Sequence, residues 1–164
     1  MTGLAPSCCT RSEAETESLG AAVGTVLCAG DVLALTGALG AGKTRFVRGV
    51  ARGLGVDPAL VSSPTFVLMQ EYPVEPARHG IAAIVHIDAY RLGAGDGLAS
   101  VGVEPIRDPD AVTLIEWADR LTDDLPPEAL TVSISHGTAR DERGVTVTGA
   151  DLWRERFDAL QWKP

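Results

Sequence analysis

Apolar positions along the chain change period several times, and each change marks a predicted element. Ser12-Glu13-Ala14-Glu15 has the form of a capping box, and Leu19, Val23, Val26 and Leu27 follow at helical spacing. Gly30-Asp31 then turns into Val32-Leu33-Ala34-Leu35, an apolar run short enough to be a buried strand. A second helix is predicted from about Lys43 to Leu54, burying Phe46, Val47, Val50 and Leu54 and stopping at Gly55. Further strands are predicted at Phe66–Tyr72, Ile81–Asp88, Val112–Glu116 and Leu130–Ser135. Val145–Thr148 pairs with its predecessor as a C-terminal β-hairpin through a turn near Asp141–Gly144, and Asp151 caps a last helix with Leu152, Trp153, Phe157 and Leu160 inward. Strands apolar on both faces, interleaved with helices, predict an α/β sandwich with a mainly parallel central sheet and helices on both faces.

Length and composition fit one domain over residues 1–164, with 1–11 expected to be a flexible lead. A net charge of −8 argues against a stand-alone nucleic-acid binder, which needs basic surface to displace counterions from phosphates. It leaves room for a component of a larger RNA-processing assembly. The first ten residues have neither a basic segment nor a continuous apolar one, so no secretory signal is expected. The most apolar stretch, Leu19 to Leu35, is broken by Gly20, Gly24, Gly30 and Asp31, which rules it out as a membrane span. Cys8, Cys9 and Cys28 are odd in number and lack metal-ligand spacing, which favours a reducing, cytoplasmic setting over disulfides or zinc.

Between the first predicted strand and the second helix lies Gly37-Ala38-Leu39-Gly40-Ala41-Gly42-Lys43-Thr44, which matches the P-loop pattern G-x-x-x-x-G-K-[ST]. A random chain of this composition would show it with a frequency on the order of 0.003, before the flanking strand and helix are demanded. In such a loop the backbone from Leu39 through Gly40, Ala41 and Gly42 wraps closely around phosphates, with N–H groups and a helix N-terminus facing the anion. Lys43 is expected to reach the β- and γ-phosphates and the Thr44 hydroxyl to coordinate Mg²⁺. The loop therefore predicts a nucleoside triphosphate ligand.

A P-loop enzyme also needs an acid at a neighbouring strand end, to hold Mg²⁺ or orient water. Asp88 ends Ile84-Val85-His86-Ile87-Asp88, and Glu116 ends Val112-Thr113-Leu114-Ile115-Glu116. Ligands of open α/β sheets lie beyond the carboxyl ends of strands, so both acids can converge on the phosphates. Val61-Ser62-Ser63-Pro64-Thr65 follows the P-loop helix, where nucleotide switches place a γ-phosphate-sensing hydroxyl.

Taken together, Gly37-Ala-Leu-Gly-Ala-Gly-Lys-Thr44, Ser63-Pro-Thr-Phe66, His86-Ile-Asp-Ala-Tyr-Arg-Leu92 and Leu114-Ile-Glu-Trp117 resemble the TsaE (YjeE) family over about residues 12–150. These are small bacterial ATPases needed to form N6-threonylcarbamoyladenosine, t6A, in tRNA. The resemblance implies an ATP- and Mg²⁺-dependent P-loop subunit that works with the TsaB and TsaD proteins on tRNAs reading ANN codons. TsaD transfers the threonylcarbamoyl group, and the TsaE-like subunit hydrolyses ATP to sustain turnover. It further implies that Lys43 and Thr44 serve the phosphates and Mg²⁺, and that Ser63 and Thr65 form the switch. Glu116 then looks like a Mg²⁺-side carboxylate and Asp88 the acid that positions water, two roles that can be exchanged. With the −8 charge, tRNA contact is expected to be indirect, through these partners, and neither DNA nor membrane is an expected partner. Two departures stand out: Ala38 where the family usually has Asp, and Ala89 where it often has Leu. Adenine contacts are expected near Arg11 or Arg140, in segments that match the family poorly.

Two other readings compete. A small-molecule kinase needs a mobile basic lid, for which Arg140–Arg143 is the candidate, diluted by Asp141 and Glu142. A GTP-binding switch protein would normally carry a guanine-reading N/T-K-x-D segment, yet Lys163 is the one lysine besides Lys43. Local features have plainer readings. His86 shares a strand face with Asp88 and is either its support or a core histidine. Arg45, Arg48 and Arg52 form a basic stripe that a solvated helix face explains, and Glu13, Glu15 and Glu17 complement a helix dipole. Arg91 suits a partner contact or a structural ion pair better than phosphate, and Trp117 packs beside nucleotide, partner or core.

Overall fold

In the computed structural model, residues 6–64, 66, 68–93, 95–101 and 108–160 are described; Thr65 and Lys163 lie outside them. The chain runs β1 (Ser7–Thr10), α1 (Glu13–Gly24), β2 (Val32–Thr36), α2 (Lys43–Gly53), β3 (Met69–Arg78), β4 (Ile81–Asp88), β5 (Ala111–Glu116), β6 (Leu130–His136), β7 (Arg143–Thr148) and α3 (Leu152–Asp158). Short 3-10 turns occupy Pro58–Leu60, Leu98–Val101 and Ala118–Arg120.

The strands form one seven-stranded sheet in the order β1-β7-β6-β2-β5-β4-β3. Its centre, β6-β2-β5-β4, is parallel, while β1, β7 and β3 join the edges antiparallel. All six residues of β5 are buried, as expected of a strand covered on both faces. One face packs Leu33, Leu35, Leu114 and Ile84 against Leu19 and Val23 of α1 and Phe46, Val47 and Val50 of α2. Each such fully buried side chain contributes about 1.5–3 kcal/mol of transfer free energy. The buried residues of α3, Trp153 and Phe157, join this same cluster. The other face gathers Val32, Ala34, Ile87 and Ile115 beneath Leu92, Leu98, Ala118 and Leu121, so its helical cover among the described residues takes the form of 3-10 turns.

Most predicted elements fall where the pattern puts them. Ser12 caps α1, accepting from Glu15 N–H at 3.1 Å, while the Glu15 carboxylate accepts from Arg11 N–H at 2.7 Å. Three details differ from expectation. The segment 1–11 holds a strand: Ser7–Thr10 pairs with β7, tied further by Thr10 Oγ1 to Thr16 Oγ1 at 2.8 Å. The strand expected from Phe66 starts at Met69, because Leu68 N–H bonds back to Pro64 O at 2.7 Å and Leu68 has φ 65°. In α3 Leu152 is exposed rather than inward, and Asp151 makes no side-chain cap bond.

Helices α1 and α2 cross at backbone distance. A Cβ on Gly20 would collide with Phe46 O, and one on Gly49 with Glu17 O. The basic stripe of α2 is not a free solvated face. Arg45 pairs with Glu13 at 2.6 Å, Arg52 with Glu17 at 3.0 Å, and Arg48 Nε donates to Val61 O at 2.9 Å.

Candidate functional site

The carboxyl ends of β2, β5 and β4 lie side by side, with Leu35 opposite Glu116 and Glu116 opposite Asp88. The loop after β2 turns through left-handed glycines, Gly37 at φ 146°, Gly40 at 73° and Gly42 at 110°, a conformation that side chains rarely adopt. Gly42 is the N-cap of α2, so Lys43 and Thr44 open that helix at the mouth of the sheet. Leu39, Gly40, Gly42, Lys43, Thr44, Ser63, Asp88 and Glu116 line one cleft of about 430 Å³, together with Tyr90 and Trp117. Five chemistry-bearing predicted positions, Lys43, Thr44, Ser63, Asp88 and Glu116, thus meet in one place. Ala41 is buried beside them, and Arg140 lies exposed on the hairpin turn, outside the cleft.

Each polar group on the cleft floor is held by another. Thr44 Oγ1 donates to Glu116, 2.8 Å from Oε1 and 3.0 Å from Oε2. His86, fully buried, places Nε2 2.9 Å from the same Oε1. In the register His86 stands opposite Leu114 and Asp88 opposite Glu116, so both acids share the face of His86, and its ring turns to the one across the ladder. Asp88 instead accepts from Ser63 Oγ at 2.8 Å and from Tyr90 N–H at 2.8 Å. The segment carrying Ser63 is anchored by Arg48 on Val61 O and by Tyr72 OH on Ser62 O at 3.4 Å.

Lys43 Nζ donates to Gly37 O at 2.7 Å and Ala38 O at 3.0 Å, and lies 3.8 Å from the Trp117 ring centroid. Burial lowers its ammonium pKa, against the raising influence of Glu116, Asp88 and Asp119. A desolvated cation of this kind gains more from an incoming anion than a surface lysine does. Trp117 takes the left-handed conformation (φ 58°), and its ring lies 5.0 Å from that of Tyr90. Arg91 lies over the exposed ring of Phe66 at 4.5 Å and is not among the residues that line the cleft.

Two further groups touch the loop. His136 Nε2 lies 3.2 Å from Leu39 O, and Arg143 Nε donates to Ala41 O at 3.0 Å. The sequence marks their hairpin through its Arg140–Arg143 turn, but nothing local in it selects Arg143 over Arg140 as the residue that reaches back 102 positions.

A glycine-turned loop between a central parallel strand and a helix, with acids at adjacent strand ends, defines a P-loop NTPase-like α/β protein. Comparison with known proteins narrows the class. The family model for "Threonylcarbamoyl adenosine biosynthesis protein TsaE" matches residues 10–145. Proteins named tRNA threonylcarbamoyladenosine biosynthesis protein TsaE are similar over most of their length. The one from Treponema pallidum is 38% identical over 77% of this chain and 89% of its own. That from Bacillus subtilis is 40% identical over 73% and 70%. That from Streptomyces coelicolor is 39% identical over 80% and 88%. The crystal structure of Bacillus subtilis YdiB superposes with a TM-score of 0.72 at 28% identity, covering 98% of this chain and 97% of that one. The chain belongs to the TsaE family, whose members are named for a part in tRNA t6A biosynthesis.

Proposed function

We propose that this protein is the ATP-hydrolysing subunit of the bacterial machinery that forms t6A at position 37 of tRNAs reading ANN codons, acting in the cytoplasm with TsaB and TsaD. The observation that carries the reading is the meeting of Lys43 and Thr44 with two strand-end carboxylates in one cleft. The sequence carries no guanine-reading N/T-K-x-D segment, which disfavours guanine.

The donor set suits Mg²⁺. The Thr44 hydroxyl and the Glu116 carboxylate are hard oxygens already in contact, with the Asp88 carboxylate on the adjacent strand end. Mg²⁺ is ordinarily held by one or two carboxylates together with phosphate oxygens and water. When bound, it supplies charge neutralisation across the β- and γ-phosphates. Glu116 is presented to it by the contact with His86. Lys43 exchanges its two carbonyl acceptors for phosphate oxygens, a stronger charge-assisted pairing. Asp88, oriented by Ser63 and Tyr90 N–H, accepts a hydrogen bond from the attacking water and aligns it with the γ-phosphorus. The bond of Ser63 to Asp88 couples the segment after α2 to the state of that site.

Phosphate release from ATP by the isolated protein is expected to be slow and to rise when TsaB and TsaD are added. The deciding measurement is t6A formed over many turnovers with and without this chain; equal yield in both would overturn the reading. Direct competition of ATP with GTP tests the nucleotide, and tighter GTP binding would reject the ATPase assignment.

A further inference from the structure

The hairpin of β6 and β7 meets the phosphate loop at a single rung. His136 ends β6, Arg143 opens β7, and the two are cross-strand partners. His136 Nε2 lies 3.2 Å from Leu39 O. Arg143 Nη2 lies 3.4 Å from Gly40 O and Nε 3.0 Å from Ala41 O. Three successive carbonyls of the loop therefore turn toward one pair of side chains. Arg143 Nη1 donates to Arg140 O and Glu142 O, both at 2.8 Å, which locks the guanidinium onto its own turn. Neither His136 nor Arg143 lines the main cleft.

A trans peptide points its N–H opposite to its C=O. Each carbonyl drawn to the hairpin thus aims the next N–H, that of Gly40, Ala41 or Gly42, the other way. Ala41 N–H returns to Ala38 O at 3.1 Å, while Gly40 and Gly42 line the cleft. We propose that Arg143, assisted by His136, is a positioning residue that holds the Gly42 and Gly40 amides in their phosphate-accepting direction by gripping the carbonyls behind them. This rests on the nucleotide reading above and adds a residue to it.

The chemistry calls for arginine. Glycine-rich backbone samples many conformations, so a loop left to itself loses entropy on closing around phosphate, and a fixed support removes part of that loss beforehand. A planar guanidinium reaches two neighbouring carbonyls at once from a rigid fork; an ammonium is a single point. Its charge also polarises the peptide units it binds, which strengthens their N–H groups as donors.

The test is calorimetric titration of ATP into wild type, Arg143→Ala, Arg143→Lys and His136→Ala, each checked by thermal unfolding. Arg143→Ala is expected to weaken ATP binding about ten-fold or more, with a smaller loss for His136→Ala. Methylguanidinium added to Arg143→Ala should restore part of the affinity and leave wild type unchanged, which a general loss of packing would not produce. Should the alanine variant fail to fold, Arg143→Lys decides: affinity equal to wild type overturns the fork argument, and a loss supports it. ATP binding by Arg143→Ala within two-fold of wild type overturns the proposal while the nucleotide reading stands. Wild type that binds neither ATP nor GTP overturns both.

Discussion

Glu116 is held from two sides, by the Thr44 hydroxyl at 2.8 Å and by His86 at 2.9 Å, whereas Asp88 is held by Ser63 and a backbone amide. Those different partners give the two acids different expected behaviour. Glu116 shares its carboxylate with the residue that the P-loop pattern assigns to Mg²⁺, so Glu116→Gln should abolish the Mg²⁺-dependent part of ATP binding. Asp88→Asn should keep nucleotide affinity and lower hydrolysis on the order of 10²-fold or more, as removal of a water-orienting group does. Nucleotide titrations with and without Mg²⁺, together with phosphate release, separate the two. The opposite pattern would exchange their roles. Lys43→Ala removes a charge-assisted phosphate contact and should weaken ATP by roughly 10- to 100-fold in a calorimetric titration. At this scale Lys43, Thr44, Ser63, Asp88 and Glu116 were all readable as candidates, because motif spacing and strand ends mark them. Of the two readings open for His86, the buried, hydrogen-bonded core histidine holds, while its partner is Glu116 rather than Asp88, since facing along one strand says nothing about the neighbour across the ladder.

The crossing of α1 and α2 decides where the loop is mounted. Both helices turn glycine toward each other, so main chain meets main chain at Gly20 with Phe46 and at Gly49 with Glu17. Gly49→Ala forces a Cβ into the Glu17 carbonyl and should lower stability by about 1–3 kcal/mol, as overpacking in a filled interior does. Urea unfolding measures it, and a midpoint equal to wild type would show that the helices can move apart freely. The same crossing turns a predicted solvated stripe into ion pairs, Arg45 with Glu13 and Arg52 with Glu17. Helix periodicity reported that these arginines share a face; only the packing of α1 beside α2 made that face a seam. Likewise, Phe66 reads as strand from its apolar neighbours, and a turn closed by Pro64 O overrides that preference.

Across the whole molecule, a net charge of −8 opposes capture of tRNA by general electrostatics. The protein alone should therefore show no tRNA retention in a filter-binding assay at physiological salt, and tight salt-dependent retention would demand a basic surface that its composition does not suggest. No helix among the described residues is long and apolar enough to cross a membrane. The sheet itself is divided by role: the parallel centre brings the P-loop strand and both acidic strands to one edge, and the antiparallel hairpin supplies the support behind the loop.

The sequence by itself determined the α/β class, the P-loop motif that carries Lys43, and the acids at two strand ends. These are local properties: period, turn residues and motif spacing act between near neighbours in the chain. Tertiary structure alone decided that Asp88 would stand beside Glu116, that His86 would serve the second acid, and that Arg143 rather than Arg140 would reach the loop. Those outcomes depend on strand order and register, which come from burying both faces of the sheet together, and no stretch of sequence fixes them separately.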